Sequence, residues 1–397
     1  MSSRASARRR HMKFLHTSDW HIGKTIGGRS RIEEYRSALD QVVGIAVEEA
    51  VDAVLISGDL YEHRTPSSEA DALVFETFVK LFEAGIRVVA IPGNHDGAAR
   101  FVALAPLLTK IGVHFVAEVR PPDQGSVIEV PSRDGSETAL VACVPFVPER
   151  RFGDAAALFE RSESWIESYM TGMAELLKAM SSAFRRDRVN VLMAHLFTDG
   201  ALLGGGEREI TIGPAYAIPP SRLPASPSYI ALGHVHLPQT VKGAAAATRY
   251  AGSILQLDFG ESDPTKSVYV IEAKPDRPAR VQQIKLTAGR RLVTLTGTLD
   301  DITAMKAHLE DAYVRVVVKT DGPVPGMNER IRDLLPGAVQ VRLDYERREL
   351  EAPAAAVSTL LPRDQFIAYY QKAHGAAPDT ELLAAFEEVL TLEQEGA

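Results

Sequence analysis

The sequence predicts an α/β protein: strands that deliver polar side chains to one edge of a sheet, then a small α/β module, then a helical tail. Three observations support this. Short apolar runs recur, and each is followed by a turn carrying Asp, Asn or His. Stretches with helical spacing lie between them, the alternation expected when crossover helices link parallel strands. Beyond residue 268 the pattern changes to short alternating strand and helix segments, and beyond residue 351 to a linker and helices.

The elements follow in order. Residues 13–17 read as a strand leading to Asp19-Trp20-His21. Residues 32–50 place Tyr35, Leu39, Val42, Val43 and Ala46 near helical spacing, as a crossover helix does. Residues 52–57 form an apolar run before Gly58-Asp59, and residues 70–84 a second helix ending at Gly85. Residues 87–92 lead to Gly93-Asn94-His95-Asp96, and residues 140–144 make a strand around Cys143. A longer helix is expected over 162–184, then a strand over 191–194 before His195. Residues 200–220 are rich in Gly and Pro, including Gly204-Gly205-Gly206. That loop either shapes substrate access or simply connects, and it lacks the Gly-Lys-Ser/Thr ending of a nucleotide-binding loop. Residues 228–232 precede Gly233-His234-Val235-His236, and residues 268–272 close the sheet. Residues 275–278 read as a linker, and 281–286, 300–309, 313–319, 328–335 and 339–345 as the small α/β module. After a linker at 351–358, an amphipathic helix is expected over 365–372 and a second over 379–391, with Asp379 as candidate cap. Phe and Tyr on that tethered pair suit partner binding, or else packing against the chain's own core.

Length and composition agree with a protein of two or three domains: 397 residues, 45% of them hydrophobic. No run is long enough to span a membrane. The basic stretch from Arg4 to Arg10 lacks the apolar core of a secretory signal, and residues 1–11 are expected to be disordered. A single cysteine, Cys143, fits a reducing cytoplasm and a buried, inert thiol. The formal charge of −8 argues against a self-sufficient DNA binder. Bound cations, a partner or a dimer groove would have to supply positive surface, with Lys24, Arg29, Arg31, Arg64 and Arg100 as local candidates.

The chemistry lies in the five turn segments. Together they offer Asp19, His21, Asp59, Asn94, His95, His195, His234 and His236, with no ligating cysteine. That donor set suits two divalent ions, Mn²⁺ or Mg²⁺ and less well Zn²⁺. A two-metal site is a clamp for in-line displacement at phosphorus. Each segment alone is explained as well by an ordinary turn. All five, each after an apolar strand and hence at the carboxyl edge where α/β sites form, point to phosphate-ester hydrolysis.

These segments resemble the calcineurin-like metallophosphoesterase superfamily. Within it, His16-Thr17-Ser18-Asp19-Trp20-His21-Ile22-Gly23-Lys24, Ser57-Gly58-Asp59-Leu60-Tyr61, Ala231-Leu232-Gly233-His234-Val235-His236 and Arg249-Tyr250-Ala251-Gly252-Ser253 resemble the SbcD family of nuclease subunits. That family is related to the meiotic-recombination double-strand-break nuclease. The resemblance runs from about Met12 onward. It implies a four-layer fold of two packed mixed β-sheets flanked by helices over residues 12–274, an α/β cap domain over 279–346, and a partner-binding linker and helices over 351–397. It implies one ion on Asp19, His21, Asp59 and His236, and another on Asp59, Asn94, His195 and His234, most readily Mn²⁺. His95 would stabilise or protonate the leaving oxygen. Glu62, three positions after the shared aspartate, would support His95, with His63 as the alternative. For Asp96 a turn-stabilising job competes with a catalytic one. The implied activity is DNA exonuclease and endonuclease action on ends and hairpins, in repair and recombination, within a complex with the SbcC ATPase. A homodimer, DNA as substrate and a cytoplasmic, nucleoid-associated location follow from the same resemblance. A metallophosphoesterase acting on smaller phosphomonoesters or phosphodiesters is the alternative, and a non-catalytic scaffold the third. Against a phosphatase, Glu62-His63-Arg64 replaces the usual Asp-Arg-Gly.

Overall fold

The computed structural model describes residues 11–148, 165–205, 207, 217–261, 265–345, 362–374, 377–380 and 382–386. The disorder expected for residues 1–11 lies outside the described residues except at His11, and so does the linker at 351–358. In chain order the elements are β1 (Met12–Thr17), α1 (Ile32–Glu48), β2 (Ala53–Ser57), α2 (Ser68–Glu83), β3 (Arg87–Ile91), α3 (Ala98–Leu108), β4 (Val113–Phe115), β5 (Val127–Pro131), β6 (Thr138–Val144) and α4 (Trp165–Ser181). They continue with β7 (Val189–His195), β8 (Tyr229–Gly233), β9 (Gln239–Thr240), β10 (Thr248–Tyr250), β11 (Lys266–Ala273), β12 (Arg280–Leu286), β13 (Leu292–Gly297), α5 (Leu299–Met305), β14 (Tyr313–Lys319), α6 (Met327–Leu334), β15 (Ala338–Asp344) and α7 (Pro362–His374).

Two six-stranded mixed sheets form the body, in the orders β12-β11-β1-β2-β3-β4 and β5-β6-β7-β8-β10-β9. Strands β1 to β4 run parallel, as do β6, β7, β8 and β10. Among them β2 and β8 are buried at every position and nearly continuously apolar, because both faces are covered. In β2, Val54 and Ile56 face α1 and α2, while Ala53 and Leu55 face the other sheet. In β7, Val191 and Met193 meet that same seam, and Leu192 and Ala194 turn to α4. The period-two alternation thus sorts one apolar run into two cores, giving the helix–sheet–sheet–helix layering. Cys143 lies in the seam, where burial pushes its thiol pKa up. The local signals act as written: Ser67 caps α2 by accepting the Ala70 N–H at 3.2 Å, and Gly85 follows the helix end at φ 70°.

One strand is placed differently from the sequence reading. Residues 281–286, taken there as the start of the small module, belong to β12, which pairs antiparallel with β11 along its whole length at the edge of the first sheet. The expected linker at 275–278 is the loop of this hairpin. Its Pro and Asp pattern marks a turn, with Asp276 at φ 55°, and a turn signal does not tell a hairpin from a domain boundary. The separate three-stranded sheet is β13-β14-β15, backed by α5 and α6 around Val314, Val316, Val318, Ile302 and Ile331.

A buried polar cluster joins this sheet to the main body. The Arg31 guanidinium donates to the Gln256 carbonyl and to Glu34, and Glu34 also accepts the Tyr313 hydroxyl (3.0 Å) and the Arg290 N–H (2.9 Å). Arg31 is 2% exposed, so it is an internal strut and not surface for DNA. The chain divides into two units, the second comprising Thr320–Val324 and the residues from Asp344 onward. Within that second unit α7 is helical, residues 382–386 are helical, and Phe366 stacks on Phe386 with ring centroids 4.1 Å apart. Asp379 caps the second turn by accepting the Leu382 N–H at 2.8 Å.

Candidate metal centre

The loops after β1 and β2 are zipped together by their backbones. The N–H groups of Asp19, His21 and Ile22 donate to the carbonyls of Gly58, Asp59 and Leu60, each at 3.0 Å. Asp96 then ties the loop after β3 to the same strip. It accepts the N–H groups of Gly93 (3.0 Å), Tyr61 (3.0 Å) and Leu60 (3.1 Å). Asp96 is therefore a turn-locking carboxylate. From the second sheet, the His234 N–H reaches back to Asp19 Oδ1 at 2.9 Å, and His195 Nδ1 donates to the Ser57 carbonyl at 2.8 Å. Four polar residues here hold left-handed backbone: Asp19 (φ 50°), His21 (49°), Asp59 (51°) and His234 (98°). Such conformations cost about 1–3 kcal/mol each and cluster at functional sites.

The structure brings together all seven residues expected to bind metal. Asp19, His21 and His236 offer ligand atoms within 4.8 Å of one another, as do Asp19, Asp59 and His195, and His21, Asp59 and His95. Asn94 Oδ1 lies 3.0 Å from His195 Nε2 and 2.9 Å from His234 Nδ1. Residues of both sheets meet here: Asp19, His21, Asp59 and Asn94 from the first, His195, His234 and His236 from the second.

Proton placement tests whether the site fits cations. His21 Nδ1 faces the Glu62 carboxylate (2.8 Å), His195 Nδ1 the Ser57 carbonyl (2.8 Å) and His236 Nδ1 the Gly205 carbonyl (3.0 Å). Each Nδ1 must carry hydrogen, which leaves a lone pair on each Nε2 of a neutral ring. Yet His21 Nε2 and His236 Nε2 stand 3.1 Å apart, and His195 Nε2 stands 3.0 Å from the Asn94 oxygen and 3.4 Å from Asp59 Oδ2. Acceptors aimed at acceptors in a buried pocket repel unless a positive charge lies among them. The donor set of carboxylate, amide oxygen and imidazole fits oxygen- and nitrogen-loving divalent ions. Protons compete for the same places. Burial opposes the charge on His195, but Asp59 beside it holds that imidazole up to about 9. Burial equally opposes ionised Asp59, and His195 and His21 keep its carboxyl well below the usual range.

Glu62 and His95 share a contact, but through the main chain. His95 Nδ1 donates to the Glu62 carbonyl at 2.9 Å, whereas the Glu62 carboxylate holds His21 and accepts Lys24 Nζ at 3.0 Å. From His95 Nδ1 that carboxylate is 3.9 Å away. Burial works against its ionisation, yet His21 and Lys24 keep Glu62 down to about 2. His63, the alternative support, is exposed. Of the basic candidates, Lys24 is engaged by Glu62, Arg100 pairs with Asp71, and Arg29 bonds the Pro336 carbonyl, while Arg64 is exposed.

Several contributors carried no signal in the sequence. Phe146 sets its ring about equally near His195 (6.2 Å) and His234 (6.1 Å). His16 bridges the two sheets, from Tyr229 Oη (2.9 Å) to Ser57 Oγ (3.0 Å). Glu207 binds the His236 N–H at 3.0 Å from within the Gly-rich loop. Only the spacing Gly-Gly-x-Glu, a carboxylate returning onto a turn, could have marked it.

Comparison with known proteins agrees with this geometry. Residues 12–238 match the calcineurin-like phosphoesterase family, and residues 288–374 match the Type 5 capsule protein repressor C-terminal domain. The SbcD subunit of the SbcCD nuclease from Bacillus subtilis is 31% identical over 97% of this chain and 100% of its own length. Its namesake in Rhodobacter capsulatus is 30% identical over 87% of this chain and 90% of that protein. The Escherichia coli K12 protein of the same name is 28% identical over 85% and 86%.

Proposed function

The chain belongs to the calcineurin-like phosphoesterases, in the family of the SbcD nucleases, and on that premise we propose that it is a metal-dependent DNA nuclease subunit. Its action is hydrolysis of phosphodiesters at DNA ends and hairpins, as exonuclease and endonuclease, in repair and recombination. The observation that carries this reading is the convergence of ring nitrogens and an amide oxygen at His21, His236, His195 and Asn94, a buried donor set that takes positive charge, as protons or as metal ions.

We assign one ion to Asp19, His21, Asp59 and His236 and a second to Asp59, Asn94, His195 and His234, with Asp59 shared and Mn²⁺ preferred over Mg²⁺. Bound there, the ions supply Lewis-acid activation of the phosphodiester and of the attacking water. The chain's own residues do the rest. His95, its Nδ1–H anchored on the Glu62 carbonyl, stabilises or protonates the leaving oxygen. Protonation needs the imidazolium, whose proton Nε2 would give up, and burial holds its pKa down to about 4 in the metal-free site. The Glu62 carboxylate fixes the tautomer and tilt of His21. The module around β13–β15 is the cap that helps position DNA. The two helices of the second unit are the docking element for the SbcC ATPase. A homodimer presents two such centres to a duplex, and the setting is cytoplasmic and nucleoid-associated.

The test is purified protein with Mn²⁺ on labelled linear and hairpin DNA. Cleavage supports the nuclease. Turnover of nitrophenyl phosphate alone would move the chain to the smaller-substrate phosphoesterases, and no turnover of either to a scaffold.

A further inference from the structure

Among the described residues of the Gly-rich segment that follows β7, Gly205 and Glu207 touch the metal centre. Glu207 accepts three backbone N–H groups: Gly204 at 2.8 Å and His236 at 3.0 Å on one oxygen, Gly205 at 2.7 Å on the other. These bonds hold Gly204 and Gly205 against Glu207, and the Gly205 carbonyl receives His236 Nδ1 at 3.0 Å. The local sequence is constrained accordingly. A Cβ on Gly204 would stand 2.9 Å from the Leu237 nitrogen, and Gly205 holds φ 101°. A second strap anchors the same segment, since Gln239 accepts the Leu202 N–H at 2.9 Å and donates to its carbonyl at 2.7 Å. None of these contacts is needed to build β7 or β8. All of them converge on the strip that carries His234 and His236.

We propose that Glu207 is a positioning residue of the metal centre: by holding the Gly205 carbonyl on His236 Nδ1, it directs the His236 Nε2 lone pair toward Asp19 and His21. A charged carboxylate suits this task, because its two oxygens together take three N–H donors and compact the turn. Without it the Gly205 carbonyl is released, and His236 loses the contact that selects its tautomer. Second-tier partners of metal-bound histidines typically control 10–100-fold in affinity. The inference rests on the assignment of Asp19, His21 and His236 to one ion.

The experiment uses the full-length protein, stripped of metal. Mn²⁺ binding is followed by titration calorimetry, and the His236 tautomer by long-range ¹H–¹⁵N NMR of the imidazoles in the metal-free state. Glu207→Ala should weaken one of two Mn²⁺ sites about 10–100-fold, leave the other unchanged and mix the His236 tautomers. Glu207→Gln, which keeps one acceptor oxygen, should fall between Ala and wild type. Wild-type affinity at both sites in Glu207→Ala, or an unmixed Nδ1–H tautomer, overturns the proposal. His236→Gln is the control for the underlying assignment. If it keeps both sites at full affinity, the metal assignment itself is wrong; if it loses one while Glu207→Ala loses none, only the role of Glu207 fails. Should Glu207→Ala not fold, Glu207→Gln and the tautomer measurement decide alone.

Discussion

At the scale of single residues, Glu62 and His95 divide tasks that adjacency in the site could blur. The Glu62 carboxylate is 2.8 Å from a histidine assigned to metal and 3.9 Å from His95. Glu62→Gln should therefore weaken Mn²⁺ binding about 10–100-fold by calorimetry, because a neutral amide is a poorer acceptor for His21 Nδ1. His95→Gln should leave Mn²⁺ binding unchanged and lower turnover about 10²–10⁴-fold. The reverse pattern would exchange the two roles. The ligand-type residues were legible in the sequence because Asp, Asn and His after apolar runs are chemically distinctive. The partner of each ring nitrogen was not. Which atom of Glu62 faces His95 depends on backbone direction in a loop, and no residue type records it. Glu207 lies 29 positions from His236, and Ser57 138 from His195, so their pairing exists only after folding.

Among the elements, loops after β2 and β3 are held closer than side chains normally allow. A Cβ on Gly93 would fall 2.2 Å from Asp59 Oδ1 and 2.6 Å from His195 Cε1. Gly93→Ala should thus abolish Mn²⁺ binding although every ligand is kept; calorimetry at wild-type affinity would show that the loop can yield. Strand β1 offers a pH test. Burial pushes His16 down to about 3, so the folded chain holds it neutral between Tyr229 and Ser57. The unfolded chain binds that proton near pH 6.5, so between pH 6.5 and about 3 the unfolded state carries more protons and stability falls as pH falls. Urea unfolding of metal-free protein should show His16→Asn with a slope shallower by up to one proton across that window. Equal slopes would remove His16 from the account. Strands and helices were readable here because β2, β3, β7 and β8 are apolar on both faces and α1 and α2 carry one apolar stripe. The membership of β12 was not, because Arg280–Leu286 is largely exposed and polar, as an edge strand can be, and resembles the start of a new module.

For the whole molecule, the site spans the seam between the two sheets, so ions bound there add to the cohesion of the body. Chelation should lower the melting temperature, with a loss of about 2.7 kcal/mol for each ion relative to a metal level 100-fold above its Kd. An unchanged melting temperature on adding a chelator to Mn²⁺-loaded protein would argue against ions at the seam. The helices of the second unit lie in sequence beyond both sheets and carry exposed Tyr369. Removing residues 351–397 should abolish association with an SbcC ATPase in pull-downs and spare Mn²⁺-dependent phosphodiesterase activity. Intact association would place the docking surface elsewhere. The two-sided site also has a consequence for biosynthesis. The last ligand-type residue, His236, emerges from the ribosome long after Asn94, and at synthesis rates of about 5–20 residues per second the delay is on the order of ten seconds. Throughout it the nascent chain holds only part of the proposed ligand set, so metal loading is expected to wait for the second sheet to arrive.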